Sequence, residues 1–511
     1  MQRGVRPVDV AGNLEAKAPK EILFRWLLAL GCFVVLLVFF SPAWGAFRAW
    51  ARAPEMGFMI ETRRGAVVLD QMAHPGAPVT DTLHAAVQWR LLFPLIGRML
   101  HLPPAVLFGL ADAGCVAVLA FIITVLRRRG AGWADAALAA LILGAGSWYF
   151  ASVCWLGYFD SWLALGLLLV GFARSPRTVW LACLWAPWVD ERFVLGAPLA
   201  LWCRFALRPG ETAAESLAAW VKREALIPAA LLAGFVGLRL GILRGQSAPG
   251  ATIAGYWRNL QFGEGAGGRV ALGIWDGLRA GWLFVAAALL AGATSRRQAG
   301  LLGGMTVALV LAGLLTAQDF SRAMTLVLPV GLLGALRLVE LGPSWWRPVG
   351  WLGAVAALLV PAHLVMSNYT QPIHRLDQEW AALRDPPAVL RAETYEERAR
   401  QAVERRDFSQ AELDLTLAIK LADNPARPSE QRGIFYATGR HWAEARRDFD
   451  TAVKFAPEDP DAWFLRAQAA LALGDVPAAR ADFQQALAVG SPEWSARPEV
   501  IRVRGRLEQT K

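Results

Sequence analysis

Glu61, Asp70, His74, Asp81, His84 and Arg90 all fall in one polar stretch, Trp44 to His101, between two long apolar blocks. Further ionisable residues stand at the ends of later apolar runs: Asp160, the triplet Asp190-Glu191-Arg192, and Asp319 with Arg322. Charges at the ends of membrane segments are costly unless hydrated, paired or used, so their recurrence marks a candidate site. The residue types suit a group transfer. A carboxylate within about 2.6–3.2 Å of an acceptor hydroxyl can take its proton, and guanidinium groups can stabilise a departing anion. Asp70 is the first choice of base and Asp81 the second. Glu61, His84, Arg90, Asp160, Asp190, Glu191, Arg192, Asp319 and Arg322 are the candidate substrate-binding residues. The plainer reading of Asp70 or Asp81 is an ion pair with Arg63, Arg64 or Arg90 on a solvated loop, and that of Asp319 and Arg322 is a helix-end pair at i, i+3. His74 and His84 lack a third ligand at zinc-type spacing. No cofactor motif is present, and the carboxylates leave room for a divalent metal.

The elements that must position these residues are membrane helices. The 511-residue chain is 55% hydrophobic and 18% charged, and several apolar blocks approach the roughly 20 residues that span a bilayer. Its net charge of +10 comes with no basic stripe interleaved with aromatics, which argues against nucleic acid as a partner. The five cysteines lie inside apolar blocks without CxxC spacing and read as small core residues. Residues 1–21 carry Arg3, Arg6, Lys17 and Lys20 and read as a cytoplasmic arm. Ile22 to Ala43 is then a retained first helix whose far end is outside. The basic loops at Arg127-Arg128-Arg129, Arg174, Arg208 and Arg296-Arg297 alternate with the acidic outer turns. The expected fold is all-α: a bundle of about eleven spans over residues 22–368, with external loops 44–101 and 243–281, followed by an α-solenoid. Eleven spans starting inside end outside, so the C-terminal region is expected to be extracytoplasmic. The Gly263–Gly268 run follows no strand and lacks the Lys-Ser/Thr ending of a phosphate loop.

Beyond a connector at 369–391, similar residues recur every 34 positions, the tetratricopeptide period. Ala411, Ala445 and Ala479 share a small position, Leu415, Phe449 and Phe483 a bulky one, and Ala418, Ala452 and Ala486 a second small one. Three repeats over 392–493 and a capping helix with tail over 494–511 follow from this spacing. Such arrays stack into extended binding surfaces, which implies a protein partner.

The membrane region, from Ile22 to about Asn368, resembles the GT-C superfamily of polytopic glycosyltransferases. Trp89-Arg90-Leu91-Leu92-Phe93-Pro94 is similar to the segment that follows the acidic first loop in some bacterial members, and Gly157-Tyr158-Phe159-Asp160 to a further outer turn of theirs. Where that family often has adjacent acidic residues early in the first loop, this chain has isolated Glu61, Asp70 and Asp81. The resemblance implies an inverting enzyme, in contact with membrane lipids, that transfers a sugar from a polyprenyl-phosphate carrier on the outer face of a bacterial inner membrane, with the repeats recruiting acceptor or partner. The alternative is a non-enzymatic membrane-anchored scaffold for envelope assembly. A transporter would show broken helices in two related halves, and no such pair is visible.

Overall fold

A computed structural model describes residues 18–53, 60–77, 87–207, 219–243, 265–291, 296–367 and 369–509. Apart from one short β-hairpin and an isolated bridge, the regular structure is helical. The chain divides into two compact units. One contains the described residues of Met1–Ala43 and Phe58–Glu379, the other those of Trp44–Gly57 and Trp380–Lys511.

In the first unit, five helices are long and apolar enough to cross a membrane, or up to seven if each of two bent pairs counts as one span. The eleven crossings expected from sequence exceed this count among the described residues. The apolar runs at Asp160–Phe172 and Phe193–Ala206 form helices of 13 and 14 residues. At 1.5 Å per residue each is about 20 Å long, short of a hydrocarbon core of about 30 Å. Pro104–Arg128 is a full-length span that opens on proline, whose missing N–H costs nothing there, and closes on Arg127 and Arg128. Trp133–Gly144 and Ser147–Cys154 meet at 66°. A Cβ on Gly146 would lie 2.9 Å from the Gly277 carbonyl oxygen, and the Ser147 hydroxyl donates to the Ser321 carbonyl over 2.7 Å. The bend is therefore pinned by close packing against the helices that carry Gly277 and Ser321.

The expected external loop 243–281, whose glycines suggest irregular backbone, is instead helical from Ala266 to Leu278. Gly273 and Gly277, one turn apart, face Phe320 and Met324 so closely that a Cβ at either would collide with them. Glycine here serves helix packing rather than loop conformation. Arg279, at φ 50°, turns the chain into Gly281–Ala291. Its wholly buried guanidinium pairs with buried Asp276 and donates to the carbonyls of Ala357 and Val360, the end of the Trp346–Leu359 helix. Carbonyls left over at a helix end are thus satisfied by a buried charge. The hairpin His363–Val365 and Thr370–Pro372 follows, antiparallel, with Leu364 opposite Gln371.

In the second unit, three helical hairpins follow one another: Ala392–Glu404 with Phe408–Leu421, Ala426–Thr438 with Trp442–Phe455, and Pro460–Ala472 with Val476–Val489. The alanines at the two small positions and Leu415, Phe449 and Phe483 are all buried, as close helix approach and groove filling require. Pro498–Gln509 covers the last hairpin through Val500, Val503 and Leu507. The Trp44–Arg52 helix belongs to this unit, with Arg48 and Arg52 both on Asp423 and Arg52 also on the Leu421 carbonyl.

Candidate functional site

Four segments of the first unit converge on one set of ion pairs. Arg90, just before the Leu92–Met99 helix, grips Glu191 with two parallel hydrogen bonds of 3.0 Å and lies 2.9 Å from Asp190 Oδ2. Arg192 donates to both oxygens of Asp190 at 2.9 and 2.7 Å and to Asp160 Oδ1 at 2.7 Å. Arg322 reaches the other Asp160 oxygen at 2.6 Å, and its guanidinium stacks 4.3 Å from the centre of the Tyr158 ring. Asp319 caps the short helix carrying Arg322, accepting its backbone N–H and the Ser321 hydroxyl at 3.0 Å each. Arg239, from an otherwise apolar helix, stands 3.8 Å from Glu191.

Burial alone would raise the Asp190 carboxyl, but Arg192 and Arg90 outweigh it and hold it well below the usual carboxylate range. Glu191 is lowered too: burial opposes the shift, and Arg90 overcomes it. Asp319 goes the other way, because burial outweighs Arg322 and pushes its carboxyl up. Three of these carboxylates, Asp160, Asp190 and Glu191, therefore have both oxygens engaged by guanidinium groups. They suit holding arginines in place better than taking a proton.

A fifth guanidinium has no such partner. Arg64, on the Ile60–Ala73 helix, is 6% exposed; its Nη2 lies 3.5 Å from Gln71 Oε1, and its Nη1 has no hydrogen-bond partner among the described residues. Burial pushes it down to about 9, with Arg90 and Arg322 acting in the same direction. The local sequence explains how it is brought there. Gly157, at φ 80°, sits so near the Arg64 carbonyl that a Cβ would come within 2.8 Å of it, and the Leu156 N–H donates to the Glu61 carbonyl over 2.8 Å. The turn preceding Asp160 is thus stitched to the helix carrying Arg64. Among the described residues, with Glu61 left aside, Arg64, Arg90, Arg192, Arg239 and Arg322 stand against Asp160, Asp190, Glu191 and Asp319, five cations and four carboxylates.

Glu61, on the same helix as Arg64, accepts from the Gln371 side-chain amide and has no arginine partner among the described residues. It acts on Tyr369 together with Tyr158, Asp319 and Arg63, and burial pushes the Tyr369 phenol to about 12. The hairpin positions Tyr369: the Met366 N–H donates to the Tyr369 carbonyl, and the Ser367 N–H to the Gln318 carbonyl beside Asp319. Asp70 stands on the exposed side of the Ile60–Ala73 helix, 3.4 Å from His74 Nδ1, and shares no hydrogen bond or ion pair with the cluster among the described residues. Asp81 and His84 lie outside the described residues. No three His, Cys, Asp or Glu side chains come together to hold a metal among the described residues.

The sequence reading did not place Arg64, Arg239, Gln71, Tyr158 or Tyr369 in the site. Arg239 carried a signal, a single arginine inside an apolar helix. Arg64 and Gln71 carried a fainter one, polar residues at i and i+7 on one helix face.

A tetratricopeptide-repeat family model matches residues 433–495. No curated protein and no solved structure matches the chain. Repeats of this kind mediate protein–protein interaction, which accords with the partner surface expected of the C-terminal region.

Proposed function

We propose that the protein is a membrane-embedded, inverting glycosyltransferase of GT-C type, which moves a sugar from a polyprenyl-phosphate carrier to an acceptor on the extracytoplasmic face. The observation that carries this reading is Arg64: a buried guanidinium without a carboxylate partner among the described residues, beside Arg90 and Arg322, which are held by carboxylates of other segments. Such an arrangement is pre-built for an anion, and the carrier phosphate is the anion the resemblance supplies. The acceptor hydroxyl oxygen attacks the anomeric carbon, the bond from that carbon to the phosphate oxygen breaks, and the polyprenyl phosphate leaves with its charge against the arginines. Glu61 takes the acceptor proton in this reading, since among the described residues its carboxylate accepts an amide hydrogen bond and has no arginine partner. One displacement inverts the anomeric centre.

The eleven crossings read from the sequence support an extracytoplasmic location for the repeats.

The test is transfer from a polyprenyl-phosphate sugar pool in proteoliposomes. Glu61→Gln is expected to lower kcat by about 10²-fold or more, and Arg64→Ala to raise KM for the carrier. Asp70→Asn and Asp81→Asn are the paired comparisons, carrying the two bases read from sequence. Full activity in all four would favour a second reading, a membrane-anchored repeat scaffold, which the confinement of the family match to residues 433–495 also fits.

A further inference from the structure

The repeat unit contains a cavity of about 1070 Å³ between its first two hairpins. Val403, Phe408, Ile434, Phe435 and Tyr436 supply its apolar lining, with Phe408 56% and Ile434 43% exposed. Large apolar side chains left accessible together in this way mark an interaction surface. Around them stand six glutamates, Glu393, Glu396, Glu397, Glu404, Glu412 and Glu444, against two arginines, Arg400 and Arg427, a balance of −4.

The pairing within the groove leaves negative charge over. Arg400 is shared between Glu397 and Glu404, and Arg427 lies 3.1 Å from Glu396. Glu412 accepts the Tyr436 hydroxyl over 2.6 Å, which holds both at the rim. Glu393 and Glu444 have no cationic partner among the described residues. Neither the packing of the repeat nor its hydrogen bonding calls for these two exposed carboxylates.

We infer that this groove binds a basic protein segment, an extended or helical stretch in which lysine or arginine alternates with aromatic or aliphatic side chains. The apolar residues of such a segment would bury Phe408 and Ile434, and its cations would meet Glu393, Glu412 and Glu444. The charge excludes the other common occupants: phosphate-bearing lipids and nucleic acids are repelled by a glutamate rim, and an acidic peptide meets like charge, a strong source of discrimination. The volume lies at the upper limit of small-molecule sites, which favours a chain segment. The inference rests on the repeats being an interaction module and is independent of the transferase chemistry.

The experiment uses the full-length protein in neutral-lipid nanodiscs. A labelled peptide of alternating lysine and phenylalanine is titrated beside its glutamate–phenylalanine counterpart, with the protein-free disc subtracted. The lysine peptide is expected to bind saturably, and the double variant Glu393→Lys/Glu444→Lys to weaken it by about tenfold or more with a flatter salt dependence. Phe408→Ser is expected to weaken it without altering the salt dependence. Both variants change exposed side chains, and an unchanged melting transition checks their folding. Equal binding of the two peptides would overturn the charge assignment while leaving the repeats an interaction module. Unchanged lysine-peptide binding in both variants would overturn the site.

Discussion

Both units bury arginine–carboxylate pairs, but they build them in opposite ways. In the repeats the pairs form a ladder: Arg398 with Asp414, Arg432 with Asp448 and Arg466 with Asp482, each 16 residues apart and each repeated after 34. Every rung is local and has its own carboxylate, although Arg466 also reaches Asp450. In the first unit, Arg90, Arg192 and Arg322 share Asp160 and Asp190 across more than two hundred residues of chain, and Arg64 has no carboxylate partner among the described residues. A one-to-one pair repeated with the fold is what structure alone requires. A shared, over-cationic cluster drawn from separate segments is not required by packing, because buried ions rarely improve on apolar residues of the same volume.

That contrast can be broken by removing one carboxylate from each side. Asp160→Ala takes one carboxylate from two buried guanidinium groups at once, Arg192 and Arg322, so it is expected to destabilise the protein by about 3–5 kcal/mol, read as a lowered melting transition in detergent. Asp448→Ala removes a rung whose Arg432 retains some solvent, and a loss of about 1.5–3 kcal/mol is expected. If the two losses were equal, the cluster would be no more than another rung. The smallest effect sharpens the repeat side. Asp407 and Asp475 cap their helices by accepting backbone N–H groups, whereas His441, at the equivalent position, makes no such cap. His441→Asp should raise stability by about 1 kcal/mol in the same melting experiment, and no gain would show that the repeat has absorbed the missing cap elsewhere.

Legibility in the sequence followed the same division. The repeats were readable because their period is local and their small and bulky positions are apolar. The ladder shares that period yet was overlooked, since a charged residue on a repeat reads as solvated until burial is known; Asp414 is in fact 1% exposed. In the membrane unit, charge at the ends of apolar runs brought out Asp160, the Asp190 triplet, Asp319 and Arg322, and the structure joins them. Arg64 could not be told from its exposed neighbour Arg63, because the polar segment gives no sign of which face a turn of the chain will cover. Asp276 and Arg279 were hidden for a different reason: glycine in that stretch suggested irregular backbone, where it lets two helices touch. Span counting faltered on helices too short or too bent to register as crossings.

In the proposed mechanism Arg64, without a carboxylate partner among the described residues, marks an anion site. The most direct measurement is the thermal transition of the purified protein, wild type and Arg64→Met, across a titration of polyprenyl phosphate. The wild type should be stabilised saturably, by about 2.7 kcal/mol at a hundredfold excess over Kd. Arg64→Met should start at equal or higher stability, because an unpaired buried charge is gone, and should show no response to the ligand. A wild type indifferent to polyprenyl phosphate, or a variant that responds to it equally, would contradict the account.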